Sequence, residues 1–228
     1  MESASTRGTG SRHELLDTAI DCFARFGYQA TSIDRIAREA GVTKGALYYH
    51  FKDKEDLLFE AVKNRVGQWE RRVVEEVRPA TSAEMRLRQV AHVCLEHATK
   101  SNHRRMIVTL MVESLDTSKP LSAEFRAMMD RFRTFLREVI ESGQRQGEFR
   151  PGIDPALAAR VYAGAVMGAE IQYYQDPEAS SLSETLDAFI EQHLAWLTAS
   201  EPRGGVTLPH RQSRARPAAP SRARAKRS

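Results

Sequence analysis

From Leu15 onward the apolar residues recur every three or four positions, and no stretch alternates apolar with polar as a half-buried strand would. Leu15, Leu16, Ala19, Ile20, Phe23 and Phe26 mark a first helix that Gly27 ends. Two short helices follow within residues 31–51. A long helix then opens at Asp53, with Asp56 three residues on, carries the stripe Leu58, Val62, Val66, Trp69, Val73 and Val77, and stops at Pro79. Thr81 with Glu84 forms a capping box for a helix to about Lys100. Further helices are expected from about His103 to Leu115 and from Leu121 to Gln144, before a loop marked by Gly147, Pro151 and Gly152. Asp154 caps the next helix with Pro155 at its first position, to about Tyr174, and Asp176-Pro177 breaks it. Ser181 with Glu184 caps the last, which ends near Thr198. The fold class is all-α, without internal repeats.

Residues 31–55 are the most informative. Thr31 with Asp34 is an acidic variant of the capping box, so a helix starts there; Ile36, Ala37 and Ala40 face inward. Gly41 can take the positive φ of a sharp bend, Val42 packs beneath it, and Thr43 caps a second helix that buries Leu47 and ends on Phe51. Small Ala37 opposite Gly41 lets the two helices cross closely, as in a helix-turn-helix.

The second helix has the chemistry of a DNA reader. At 100° per residue, an inward Leu47 sends Gly45 and Tyr49 outward, with Ala46 and Tyr48 on the flanks. Thr43 and Lys44 stand at the N-terminus, the end that such helices push toward base edges; Lys44 suits guanine O6 or N7, and Thr43 a base or phosphate. Gly45 lets the backbone approach DNA, and Tyr48, Tyr49 and His50 offer rings and polar tips to phosphates or thymine methyls. Lys52 and Lys54 follow where the chain leaves the groove.

The run Ile36-Ala37, Ala40-Gly41-Val42, Gly45-Ala46-Leu47-Tyr48-Tyr49-His50-Phe51 and Lys54-Glu55-Asp56-Leu57 resembles the TetR/AcrR family of bacterial regulators, and the likeness reaches back through Leu15, Ala19, Phe23, Phe26, Gly27 and Tyr28. The resemblance implies a three-helix DNA-binding domain, a helical ligand-binding and dimerisation domain, and repression of a palindromic double-stranded operator relieved by a small molecule; the alternatives are activation by the same architecture, or a ligand-binding protein that binds no DNA. It places Thr43, Lys44, Gly45, Tyr48, Tyr49 and His50 at operator contacts, and Ser32 and Lys54 at phosphate contacts. Ala46 fills a position often held by a bulkier or polar reader, so one base contact is missing here. The expected organisation is a disordered arm at 1–10, the DNA-binding domain at 11–71, the helical effector domain at 72–200 and a basic tail at 201–228.

Charge changes the picture only once it is located. The 228-residue chain carries +4, but residues 201–228 hold eight Lys/Arg against Glu201, a net +7, which leaves −3 for residues 1–200. DNA attraction must therefore come from a local face. The tail has no apolar period and is expected to be disordered, serving at most to bind phosphates without sequence preference. Val161–Ala169, a conspicuous uncharged stretch, is far short of the roughly 20 residues that span a bilayer, and no signal peptide opens the chain, so a cytoplasmic protein is expected. Cys22 and Cys94 have no metal-type spacing and read as reduced core thiols. No catalytic or metal motif is present, and no cofactor or metal is expected; this is not the sequence of an enzyme.

Small residues on the penultimate helix, with Ala165, Gly168 and Ala169 among them, and Leu186, Phe189 and Trp196 on the last helix predict a homodimer built as a four-helix bundle. For the effector, Trp69, Met106, Met111, Phe125, Met128, Phe132, Tyr162 and Met167 suggest an adaptable apolar cavity that suits a hydrophobic inducer. His92, His97, Glu113 and Glu170 stand within apolar stretches as candidate polar anchors.

Overall fold

Ser11 opens the first helix with a reciprocal cap: its hydroxyl accepts from the Glu14 amide at 3.3 Å, and the Glu14 carboxylate accepts from the Ser11 amide at 2.7 Å. That helix, α1 (Arg12–Phe26), ends at Gly27 with φ 80°. The computed structural model describes residues 11–199, and every regular element among them is helical. The arm at 1–10 and the basic tail at 201–228 lie outside the described residues.

α2 (Ile33–Glu39) and α3 (Lys44–His50) form the helix-turn-helix. Gly41, at φ 67°, makes the bend, and the Val42 amide donates back to the Ala37 carbonyl at 2.9 Å. Ile36, Ala37, Val42, Leu47 and Phe51 are buried in one core with residues of α1 and of α4 (Lys54–Val77). The cap of α2 differs from expectation. Ser32, not Thr31, accepts from the Arg35 amide, at 3.2 Å. The Thr31 hydroxyl is buried and donates instead to the carbonyls of Gly27 at 2.7 Å and Cys22 at 3.3 Å, tying the loop to the end of α1.

The stripe read along α4 is buried as expected, from Leu58 through Val77, and the helix runs unbroken across position 71. α5 (Ala83–Lys100) is capped by Ser82, whose hydroxyl accepts from Met85, rather than by Thr81. A further carboxylate sits at this N-terminus: Glu148, from the loop after α7, accepts from the Ala83 and Glu84 amides, each at 3.1 Å. α6 (Asn102–Thr117) and α7 (Lys119–Arg145) follow with only Ser118 between them; Pro120 lies in the first turn of α7, where its missing donor costs nothing. Phe149 packs where a side chain on Gly143 would stand, at 2.3 Å from an added Cβ, so this loop closes only over a glycine.

α8 (Pro155–Gln175) and α9 (Leu182–Thr198) keep the expected caps, with Asp154 accepting from Ala156 at 2.9 Å and Ser181 from Glu184 at 3.2 Å. α8 lies between α7 and α9, and the Tyr162 hydroxyl, fully buried, donates to the Leu87 carbonyl of α5 at 2.7 Å. No helix among the described residues is long and apolar enough to cross a membrane.

Candidate nucleic-acid interface and internal chamber

α3 presents two faces. Leu47 is buried, while Thr43, Lys44, Gly45, Tyr48 and Tyr49 are exposed, and Ala46 and His50 lie half-buried between them. Tyr49 is 85% exposed, an unusual loss of apolar burial that nothing among the described residues recovers; its ring meets His50 edge-on at 5.0 Å. Gly45 is in helical conformation, and an added Cβ would meet only the Thr43 hydroxyl at 3.8 Å, so packing does not demand glycine there. The Thr43 oxygen accepts from the Ala46 amide at 3.2 Å and keeps its proton available to a further acceptor. Lys44 Nζ donates to Asp34 at 3.0 Å; this bond pushes its ammonium above the ordinary value and spans the two motif helices across an exposed edge. Ser32, just before α2, and Lys52, just after α3, are exposed. Lys54 is already engaged, with Nζ 4.2 Å from the Tyr28 ring centre and 3.4 Å from the Gln29 carbonyl. Arg35, which the sequence did not single out, lies over Phe26 at 4.3 Å beside Ser32.

Four of the eight residues proposed for an effector cavity meet in one place. Trp69 of α4, Met128 and Phe132 of α7 and Met167 of α8 line one small cavity of about 10 Å³, joined by Cys94, Arg104, Met129, Ala163 and Val166. The other four lie elsewhere. Met106 lines an open cleft of about 550 Å³ between the end of α1 and α6, and Met111 and Phe125 line a groove of about 230 Å³ between α6 and α7. Tyr162 packs on Phe189 and His193.

One ion pair crosses the chamber region. Arg104 Nε lies 3.1 Å from both Glu170 oxygens and its Nη2 2.6 Å from Oε2, with both residues buried. Its guanidinium also stands 5.5 Å from the Trp69 ring centre. Trp69 stacks on His97 at 6.4 Å and meets Phe132 edge-on at 5.3 Å. Burial, aided by Arg104, pushes the His97 imidazole down to about 3, so it is neutral. Burial likewise pushes the Cys94 thiol up to about 12, which leaves it unreactive. Of the candidate anchors, Glu170 is thus paired and internal, His97 is internal, and His92 and Glu113 are exposed. Arg104 escaped the sequence reading because His103-Arg104-Arg105 looks like a solvated helix start. Its neighbour His103 reaches back to α1, where its Nε2 meets Asp21.

A short helix exposing cationic and aromatic tips, braced by a bundle that encloses a chamber, defines a helix-turn-helix regulator. Two family patterns cover most of the chain: "Bacterial regulatory proteins, tetR family" matches residues 15–61, and "Tetracyclin repressor-like, C-terminal domain" matches residues 83–183. The chain belongs to the TetR/AcrR family of transcriptional regulators. It is 28% identical over 155 residues to the fatty acid metabolism regulator protein of Bacillus subtilis, covering 67% of this chain and 78% of that protein. It is also 28% identical over 202 residues to the transcriptional repressor KstR2 of Rhodococcus jostii, covering 89% and 94%. A crystal structure of a putative regulator from Saccharomonospora viridis in complex with choline superposes with a TM-score of 0.70 at 26% identity, over 81% of this chain and 97% of that one. These relatives are regulators rather than enzymes.

Proposed function

We propose that this protein is a cytoplasmic homodimeric repressor that leaves a palindromic operator when a small hydrophobic molecule enters the chamber around Trp69. The observation that carries this reading is the path of α4. One helix begins beneath the recognition element, at Asp53, and supplies Trp69 to the chamber wall, so a change at the wall is passed to the DNA-binding domain along a rigid rod. A second link supports it: Arg104 faces the chamber while His103, one residue earlier on α6, holds Asp21 of α1. The apolar lining favours a hydrophobic inducer, and a relative of similar length carries the name repressor. The test is a mobility shift with the chain's own upstream region, with and without candidate inducers. Specific retardation reversed by a hydrophobic compound is expected; failure to bind that DNA over random sequence would reject the operator assignment.

The dimer reading rests on α8, which is apolar nearly all round yet covered on only part of its circumference. Leu157 and Val161 are 43% and 44% exposed, Gly164 is exposed, and an added Cβ at Gly164 or Gly168 meets nothing within 4 Å. These positions, with half-buried Ala165, Phe189 and Trp196, form the face offered to a second copy. Ala169 and Leu186, expected there from sequence, are instead buried inside the protomer. Gly168→Glu should place a charge in the closest approach of the two copies. Light scattering is expected to show monomers or aggregates, and a variant that remains dimeric with normal operator binding would move the interface elsewhere.

A further inference from the structure

The chamber wall carries two buried side chains with strong hydrogen-bond donors. Trp69 and Arg104 both line it, and both are more than nine-tenths buried. The Trp69 Nε1–H is buried and meets no acceptor. The remaining lining side chains are thiol, thioether or hydrocarbon, so the wall offers strong donors and no strong acceptor. Glu170, the one buried carboxylate among the described residues, is already bonded through both oxygens to Arg104.

We propose that the effector carries an anionic oxygen head group, carboxylate or phosphate ester, and that this head takes Arg104 from Glu170 and accepts from the Trp69 indole. The proposal rests on the chamber being the effector site. An exchange of partners can run in two directions, and their costs differ. A cationic ligand would take Glu170 and leave a guanidinium buried with no counter-ion, and a guanidinium cannot shed its charge. An anionic ligand leaves a carboxylate, which can take up a proton and become neutral. The second exchange is therefore the cheaper, although a relative of the same fold holds the cation choline. Room for the ligand's body must come from side-chain movement, because about 10 Å³ barely admits one water. Met128, Met129 and Met167 supply it, being unbranched and readily repacked.

The test compares four probes of equal chain length by calorimetry on the full-length protein, each below its micelle concentration: decanoate, decyl phosphate, decanol and decyltrimethylammonium. At least one anion should bind roughly tenfold or more tighter than decanol, the difference expected for a hydrogen bond to a charged group. Which anion leads decides between carboxylate and phosphate ester as the source. A second arm uses Arg104→Met/Glu170→Met, which removes both charges together and so keeps the core apolar and paired. This variant should bind decanol as the wild type does and show no preference for anions. Tighter binding of the ammonium probe, or an anion preference that survives in the double variant, would overturn the proposal. Wild-type binding of decanol without preference for either anion would sink the anchor but leave the chamber standing. Binding of no probe at all would reject the chamber reading beneath it and the proposal with it.

Discussion

Arg104→Met alone is expected to cost about 3–5 kcal/mol of stability, the range for stripping one partner from a buried ion pair. The variant leaves Glu170, which has no exposed surface, without the three contacts that Arg104 supplies at 2.6 to 3.1 Å. The pair itself is not a net stabiliser on that scale. Two charges taken from water lose several kcal/mol of solvation each, and their mutual attraction does little more than restore it. Arg104→Met/Glu170→Met should therefore lie within about 1–2 kcal/mol of wild type, or above it. Urea midpoints at one fixed protein concentration measure all three proteins, since a dimer's midpoint moves with concentration. A single variant as stable as the double one would show that Glu170 finds another partner, and the pair would lose its special place in the chamber. An ion pair kept without a gain in stability calls for a use, and the position of Arg104 on the chamber wall provides one.

How far the sequence could be read depended on whether the deciding contact was local. The α4 stripe, the Gly41 bend and the caps Asp53, Asp154 and Ser181 each depend on residues within a turn or two, and each stands where periodicity and capping chemistry put it. Where two hydroxyls are adjacent, local rules cannot choose. Thr31 and Ser32 both suit an N-cap, and the choice falls to the end of α1, whose Gly27 carbonyl captures Thr31. Thr81 and Ser82 pose the same ambiguity. The chamber was half legible for a related reason. Met106, Phe125, Met128 and Met167 all stand on apolar stripes, and period alone does not say which stripe meets which when five helices converge. Arg104 was hidden altogether, because a cation in a basic run is read as solvated until a distant carboxylate 66 positions away is found beside it. On α8 the small residues were evident, but which of them faced inward depended on how α7 covers the helix; Ala169 went in and Gly164 stayed out.

Lys44→Ala and Tyr49→Ala should each weaken operator binding by roughly 10- to 100-fold while leaving the fold intact, if each contributes an ordinary base or phosphate contact. The expectation of an unchanged fold comes from exposure. Tyr49 gives up almost no burial, and the Lys44 ion pair with Asp34 lies on an exposed edge, where ion pairs add little. Lys44 also has a competing partner in the DNA-free protein. Asp34→Ala would free it, and removing that competition, together with a negative charge near the phosphates, should tighten binding to operator and random DNA alike. The three variants separate two roles. If Lys44 reads a base, its loss lowers operator affinity more than affinity for random sequence; if it meets only phosphate, both fall together and the slope of log affinity against log salt drops by about 0.9. Fluorescence anisotropy with operator and scrambled duplexes over a salt series gives both numbers, and thermal melting checks the fold. Wild-type affinity in both Lys44→Ala and Tyr49→Ala would mean that this outward face is not the one that enters the groove, and the exposed tyrosine would need another partner.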